Sequence, residues 1–159
     1  MARASSHEEA SPSKPSILIV DDSALNRRIL SCIMTKLGFA VYEATQGLEA
    51  CDIFLKEASI VAVFLDLNMP LFDGWQTAQR LRQMEGLEVT SSKRLPVIVC
   101  TANDLQDRHC SGVSVSASAL SAGADEVLHK PNCMRLSAVE LVLDRLLPYW
   151  RQAVMHSAL

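Results

Sequence analysis

Short runs of apolar residues alternate along this chain with longer stretches in which apolar residues recur every three or four positions. The runs are apolar at nearly every position, which is typical of strands covered on both faces of a parallel sheet. The stretches between them have the periodicity of amphipathic helices. The pattern predicts strands over 16–20, 40–44, 60–65, 96–100 and 126–129, and helices over 25–37, 47–57, 74–84, 114–122 and 136–147.

This regular alternation indicates an α/β protein. Parallel strands are joined by helical crossovers, and those crossovers are right-handed. We therefore predict a single domain over 16–147, a doubly wound five-stranded parallel sheet with helices on both faces. Residues 1–15 are rich in Ser, Pro, Ala and charge, which indicates a disordered N-terminal tail. Pro148 closes the last predicted helix, so 148–159 are predicted to be a C-terminal tail.

Polar side chains follow four of the predicted strands at their carboxyl ends, where sheets of this kind bind ligands. Converging carboxylates would repel one another unless a hard divalent cation lay among them, and Mg²⁺ prefers carboxylates, water and phosphate oxygens. A lysine and a threonine hydroxyl suit phosphoryl oxygens. The sequence thus predicts a site for phosphoryl transfer with an aspartate nucleophile. Its residues are Asp21 and Asp22, Asp66, Thr101 and Lys130.

Charge and composition exclude several other classes of function. A net charge of −3 disfavours a nucleic-acid or anionic-membrane binder, since both need a basic surface. No apolar run approaches the roughly 20 residues that span a bilayer, and the N-terminus lacks the apolar region of a secretory signal. Five cysteines without a C-x-x-C pair indicate reduced thiols. We expect a cytoplasmic protein, or a nuclear one in a eukaryote, with no nucleic-acid or membrane partner.

Four segments that carry these residues resemble, in the same order, the receiver domains of two-component and phosphorelay systems. The resemblance covers about 16–147 and implies a flavodoxin-like, CheY-like fold. It also implies a signalling module that catalyses its own phosphorylation and dephosphorylation but is not a conventional turnover enzyme. The segments are ILIVDD (17–22), FLDLNMPLFDG (64–74), PVIVCTA (96–102) and LHKP (128–131).

The resemblance assigns the acidic residues to a magnesium site. Asp66 would be the phospho-acceptor. Asp22 would ligate Mg²⁺ directly, Asp21 directly or through water, and Asn68 through its backbone carbonyl. The phosphodonor would be a histidine kinase or a histidine phosphotransfer protein, and the phosphorylated state would signal to a protein partner that the sequence does not identify.

The same resemblance assigns the other residues to the phosphoryl group. Thr101 would donate a hydrogen bond to one phosphoryl oxygen and the Ala102 backbone N–H to another, while Lys130 would pair with the group. The peptide bond between Lys130 and Pro131 is usually cis in this family.

Three features depart from the family pattern. The connection over 85–95 and the segment over 103–122 are longer than in a minimal receiver, and Val127 stands where an aromatic residue is usual. We therefore predict that 103–113 is mobile in the free protein. We also predict that activation, followed by NMR shifts on adding beryllofluoride, changes 103–122 more than 126–147, because valine cannot swing a ring inward.

Two other classes of protein share some of these features. A haloacid-dehalogenase-like phosphatase also uses an aspartate nucleophile and Mg²⁺, but Asn68 stands where its second carboxylate should be. A flavodoxin-like FMN carrier would need a Ser/Thr/Gly-rich phosphate loop after Val20, and none follows. A stand-alone receiver and a segment of a hybrid sensor kinase both fit the sequence.

Overall fold

The computed structural model of the protein describes residues 14–71, 73–85, 94–104 and 112–157. Five parallel strands form one sheet in the order β2-β1-β3-β4-β5, which confirms the predicted fold class. Most of the predicted N-terminal tail and of the predicted mobile segment 103–113 lies outside the described residues. The strands are β1 Ser16–Val20, β2 Ala40–Ala44, β3 Ile60–Asp66, β4 Val97–Thr101 and β5 Glu126–His129.

Six α-helices and one short 3₁₀ helix accompany the strands in the described residues. The predicted bounds of the first five α-helices agree with the structure to within one residue at either end. The 3₁₀ helix and α6 were not predicted. The helices are α1 Ala24–Lys36, α2 Gly47–Lys56, α3 Gly74–Glu85, α4 Val115–Ser121, a 3₁₀ turn at Asn132–Met134, α5 Leu136–Leu146 and α6 Trp150–His156.

Apolar side chains cover both faces of the sheet, which explains why the strands read as continuous apolar runs. On β1, an interior strand of the sheet, Leu18 and Val20 point to the face that α2 and α3 cover. Ile17 and Ile19 point to the opposite face, against α1, α5 and α6. A third, smaller cluster joins α4 to β4 and to the edge strand β5. Burial on both faces leaves only the strand ends for polar chemistry.

The buried face of α1 differs from the sequence pattern. Leu30 and Met34 are the fully buried residues of this helix, whereas Leu25, the first of four apolar residues spaced by four, is 68% exposed. A helix has 3.6 residues per turn, so residues spaced by four drift around its axis. The stripe therefore begins on an exposed side of the helix, and its later residues Ile33 and Leu37 pack partly against the core.

The chain after Pro148, predicted to be a tail, instead forms helix α6 and packs against the domain. Trp150 is 5% exposed, and its ring stacks on Phe39 with centroids 5.4 Å apart. Its indole Nε1 donates to Asp144 Oδ1 over 2.7 Å, and the Arg151 guanidinium lies 4.4 Å from the ring centroid. Proline ends α5 but does not prevent a new helix from starting two residues later. Burial of Trp150 fixes the position of α6 against the rest of the domain.

Replacing Trp150 with alanine should therefore destabilise the whole domain. Truncation of a buried aromatic residue costs about 3–5 kcal/mol, and here a ring stack is lost as well. Urea unfolding measures the effect, with Tyr149→Ala as the control because Tyr149 is its exposed neighbour. An unchanged unfolding midpoint in Trp150→Ala would show that α6 does not dock.

Candidate functional site

The predicted site residues converge at the carboxyl edge of the sheet. Asp21 and Asp22 directly follow β1, and Asp66 ends the neighbouring strand β3. Carboxylate oxygens of these three residues lie within 4.8 Å of one another. In a doubly wound sheet of this strand order, β1 and β3 flank the switch point at which ligands bind. The topology thus produces the acidic cluster that the sequence predicted.

Asp21 is buried, and its carboxylate is already fully engaged. It accepts hydrogen bonds from the Ser23 backbone N–H at 2.9 Å and from Asn26 Nδ2 at 3.2 and 3.1 Å. It also accepts one from Lys130 Nζ at 2.8 Å. Asp22 is exposed, and within the described residues its carboxylate accepts no hydrogen bond. Of the two adjacent aspartates, Asp22 therefore has oxygens free to bind a cation directly.

The backbone that carries these aspartates is held by an arginine that sequence analysis did not identify. Arg27 Nη1 donates to the carbonyl oxygens of Asp21 at 2.9 Å and of Asp22 at 3.3 Å. Its Nε donates to Glu43 on β2 at 3.1 Å. The sequence signal for both Arg27 and Asn26 was their position in the first turns of α1, one helical turn after the aspartates.

Asp66 is 5% exposed and lies opposite a cation. Lys130 Nζ is 3.2 Å from its Oδ1, and the Asn68 backbone N–H donates to the same oxygen over 3.4 Å. Burial raises the pKa of the Asp66 carboxyl above its ordinary value, and this effect outweighs the opposing influence of the Lys130 charge. The buried carboxylate is thus costly in the metal-free protein, which favours a cation beside it.

Lys130 joins the two buried carboxylates. Its Nζ lies 2.8 Å from Asp21 Oδ2 and 3.2 Å from Asp66 Oδ1. Burial alone would lower the pKa of this amine, but its contacts with both aspartates raise it overall, so it remains charged. Its backbone N–H donates to the Thr101 carbonyl at 2.7 Å, and the peptide bond to Pro131 is cis, as the resemblance implied.

Thr101, the threonine predicted for this site, lies at the end of β4. It is fully buried, and its Oγ1 accepts from the Asn103 backbone N–H at 3.1 Å. The Asn103 side chain in turn accepts from Asn68 Nδ2 at 3.2 Å, which links the loop after Thr101 to the loop after Asp66. Ala102, which lies between Thr101 and Asn103 in the sequence, is exposed.

The donor set fits Mg²⁺. This cation prefers one or two carboxylates, with water and phosphate oxygens in the remaining positions. The site offers the exposed carboxylate of Asp22 and the buried carboxylate of Asp66. The third carboxylate, that of Asp21, is fully hydrogen-bonded. Asn68 is exposed at the end of β3, where its carbonyl is the additional oxygen that the resemblance implies.

Gly74 sets the shape of the loop after Asp66. Its N–H donates to the Leu67 carbonyl at 3.0 Å, and a Cβ added there would lie 2.6 Å from Leu67 Cα and even closer to the Asp66 carbonyl. Both are backbone atoms, which cannot rotate away. Only glycine therefore allows α3 to start this close to β3.

Gly74→Ala should therefore destabilise the protein by about 1–3 kcal/mol, the usual cost of forced overpacking. It should also displace the Asn68 loop and weaken Mg²⁺ binding. Urea unfolding and a Mg²⁺ titration measure the two effects. Wild-type values in both would mean that the close approach of Gly74 is not required.

Val127, the departure from the family pattern, is buried under α4. It packs with Val99, Val115 and Ala119, and Trp75 lies against the same cluster. This cluster connects the strand that ends in Thr101 to the helix after the predicted mobile segment. The prediction that activation mainly affects 103–122 stays a prediction, since 105–111 are outside the described residues.

With this geometry established, comparison with known proteins identifies the family. The sequence-family model of the response regulator receiver domain matches residues 17–139. The chain belongs to this family: it is a phospho-accepting receiver domain of two-component signalling, and the family is a signalling family rather than one of classical enzymes. The haloacid-dehalogenase-like alternative finds no support in these comparisons.

Relatives of known role carry similar segments within longer chains. The chain is 37% identical over 115 residues to the sensor histidine kinase RcsC of Salmonella typhimurium, covering 72% of this chain but 10% of the kinase. It is 36% identical over 119 residues to the probable transcriptional regulator ycf27 of Porphyridium aerugineum, covering 74% and 42% of the two chains. The chain thus spans about a tenth of the kinases and less than half of the regulator.

Solved structures agree on the fold. The chemotaxis protein CheY4 of Vibrio cholerae superimposes with a TM-score of 0.68 at 22% identity, covering 85% of this chain and all of that one. A probable two-component response regulator/GGDEF domain protein gives a TM-score of 0.70 at 25% identity, covering 89% and 52%. In the described part of the chain, no helix has the length and apolar character needed to cross a membrane.

Proposed function

We propose that Asp66 is the phospho-acceptor of this receiver and that Mg²⁺ bound at the acidic cluster supports the transfer. The observation that carries the proposal is the position of Lys130, whose ammonium lies within 3.2 Å of Asp66 and 2.8 Å of Asp21 beside three gathered carboxylates. Such an arrangement places a nucleophile, a cation site and a mobile positive charge around one point. Phosphoryl transfer needs little more than this positioning and charge neutralisation.

In the proposed reaction an oxygen of Asp66 forms a bond to the phosphorus of a phosphohistidine. The bond from phosphorus to the histidine nitrogen breaks, and the nitrogen keeps the electron pair. Mg²⁺ supplies positive charge to the phosphoryl oxygens when it is bound. Lys130 moves from Asp21 to a phosphoryl oxygen, while the Thr101 hydroxyl and the Ala102 backbone N–H donate to the others. Water later hydrolyses the acyl phosphate and resets the site.

The proposed ligands of the cation follow from the exposure and partners of each carboxylate. Asp22 binds directly, because its oxygens have no other partner within the described residues. Asp66 binds with the oxygen that Lys130 leaves free, and Asn68 with its carbonyl. Asp21 acts through water, since Ser23, Asn26 and Lys130 already occupy its oxygens.

The phosphodonor is proposed to be a histidine kinase or a histidine phosphotransfer protein. Several relatives are histidine kinases or hybrid signalling proteins, such as dokA of Dictyostelium discoideum, which is 31% identical over 123 residues. Three buried free thiols, at Cys51, Cys100 and Cys133, support a reducing location such as the cytoplasm. The partner that reads the phosphorylated state is proposed to be a protein.

The direct test is incubation with a small acyl phosphate, with and without Mg²⁺, followed by intact-mass spectrometry. One phosphoryl group should be added, only when Mg²⁺ is present. Borohydride reduction of the acyl phosphate followed by peptide mapping should then place it on Asp66. Labelling in EDTA, or on another residue, would refute the proposal.

A further inference from the structure

Asp21 Oδ2 is shared by two donors of different kinds. Lys130 Nζ donates to it from 2.8 Å and Asn26 Nδ2 from 3.1 Å, and the same amide nitrogen reaches Oδ1 at 3.2 Å. An amide oxygen turned to this carboxylate would be repelled, so the amide nitrogen must face it. Asn26 therefore competes with Lys130 for the Asp21 oxygen that, together with Asp66 Oδ1, binds the ammonium group.

The Asp21 carboxylate is fixed in position and cannot move with Lys130 when the lysine leaves it. Asp21 is 1% exposed, its carboxylate accepts a hydrogen bond from the Ser23 backbone N–H, and Arg27 donates to the carbonyl oxygens of Asp21 and Asp22. Departure of Lys130 thus leaves a buried carboxylate in place with one fewer donor. A buried charge without sufficient hydrogen bonds is costly, and that cost opposes the movement of Lys130.

We propose that Asn26 is a positioning residue that releases Lys130 from Asp21, so that the lysine can pair with a phosphoryl group on Asp66. This inference rests on the proposed function of Asp66. With Asn26 present, Asp21 keeps a side-chain donor on each of its oxygens after Lys130 leaves. Without it, the Ser23 N–H alone remains, and the ion pair between Lys130 and Asp21 becomes harder to break.

The test compares wild type, Asn26→Ala, Lys130→Ala and the double variant for binding of beryllofluoride, a phosphoryl mimic, at saturating Mg²⁺. Asn26→Ala should weaken binding about tenfold, the size of one hydrogen bond to a charged group. In the Lys130→Ala background the same substitution should change binding less than about twofold, because no ammonium needs to be released. Equal losses in both backgrounds, or none in either, would overturn the proposal.

A second measurement separates this role from a metal or folding effect. Mg²⁺ affinity without beryllofluoride should change less than about twofold in Asn26→Ala, since Lys130 then stays on Asp21. Asn26→Gln, which restores an amide donor, should recover most of the beryllofluoride affinity. Leu25→Ala, an exposed neighbour on the same helix, is the control. A Mg²⁺ loss as large as the beryllofluoride loss would overturn the proposal.

Failure of the proposed function would look different. If wild type neither binds beryllofluoride nor accepts a phosphoryl group at Asp66, the acceptor assignment is wrong. If wild type does both and Asn26→Ala behaves identically, only the role of Asn26 is wrong.

Discussion

Asp66→Asn is expected to abolish phosphorylation by an acyl phosphate or by a phosphorylated histidine protein. The side-chain amide has nearly the shape of the carboxylate but is not a nucleophile, so no bond to phosphorus can form. Removing a nucleophile typically eliminates the covalent step rather than slowing it. Intact-mass spectrometry at saturating Mg²⁺ measures this, and full labelling of the variant would end the assignment of Asp66.

The fold of the Asp66→Asn variant should survive, which makes the loss interpretable. Burial raises the pKa of the Asp66 carboxyl, so keeping this carboxylate charged costs free energy in the folded protein. A neutral amide removes that cost, and Lys130 retains Asp21 as its partner. The free energy of unfolding of the metal-free variant should therefore be no lower than that of wild type. A large drop in urea unfolding would instead make Asp66 a structural residue.

The convergence of the site residues could be predicted because topology alone determines it. The apolar runs identified the parallel strands, and parallel strands joined by right-handed crossovers bring their carboxyl ends to one edge. Asp21, Asp22 and Asp66 therefore had to lie close together, whatever the packing of the helices. Which of Asp21 and Asp22 has oxygens free for a cation could not be predicted, because this depends on burial and on hydrogen-bond partners.

Asn26 and Arg27 were not identified as site residues from the sequence, where they lie between the apolar positions of the first predicted helix. Their roles depend on the angle at which α1 leaves the acidic loop, and the Ser23 cap at the start of the helix sets that angle. One residue of difference would turn the amide away from Asp21 and the guanidinium away from the carbonyls. The four-residue spacing of apolar residues in α1 includes Ile33 and Leu37, which pack partly against the core, but it leaves out Leu30 and Met34, the fully buried residues of the helix.

Helix α6 was missed because its stability comes from a long-range contact. Nothing in the local sequence after Pro148 distinguishes a tail from a short helix, and a helix of this length is marginal without tertiary packing. The stack between Trp150 and Phe39 provides that packing. Phe39 lies between α1 and β2, far from Trp150 in the sequence, so no local pattern indicates this contact.

Asp22→Ala is expected to weaken Mg²⁺ binding by at least about tenfold, a loss that even outer-shell partners of metals can cause. Asp22 is exposed, and its carboxylate accepts no hydrogen bond within the described residues, so no other residue depends on it. Its removal lowers the negative charge of the cluster, and the metal-free variant should unfold no more easily than wild type. Calorimetric titration with Mg²⁺ and urea unfolding measure the two effects.

Asp21→Ala should have a larger effect on stability and a smaller effect on Mg²⁺ affinity than Asp22→Ala. This contrast makes the prediction specific. Asp21 holds Lys130, Asn26 and the Ser23 N–H, so its loss leaves a half-buried ammonium with one fewer partner. Removing one partner from such a pair is costly, so this variant should lose stability, while its Mg²⁺ affinity should fall less than that of Asp22→Ala. Asp52→Ala, an exposed acid on α2, is the control for net charge. If Asp22→Ala binds Mg²⁺ as tightly as Asp52→Ala, the cation lies elsewhere.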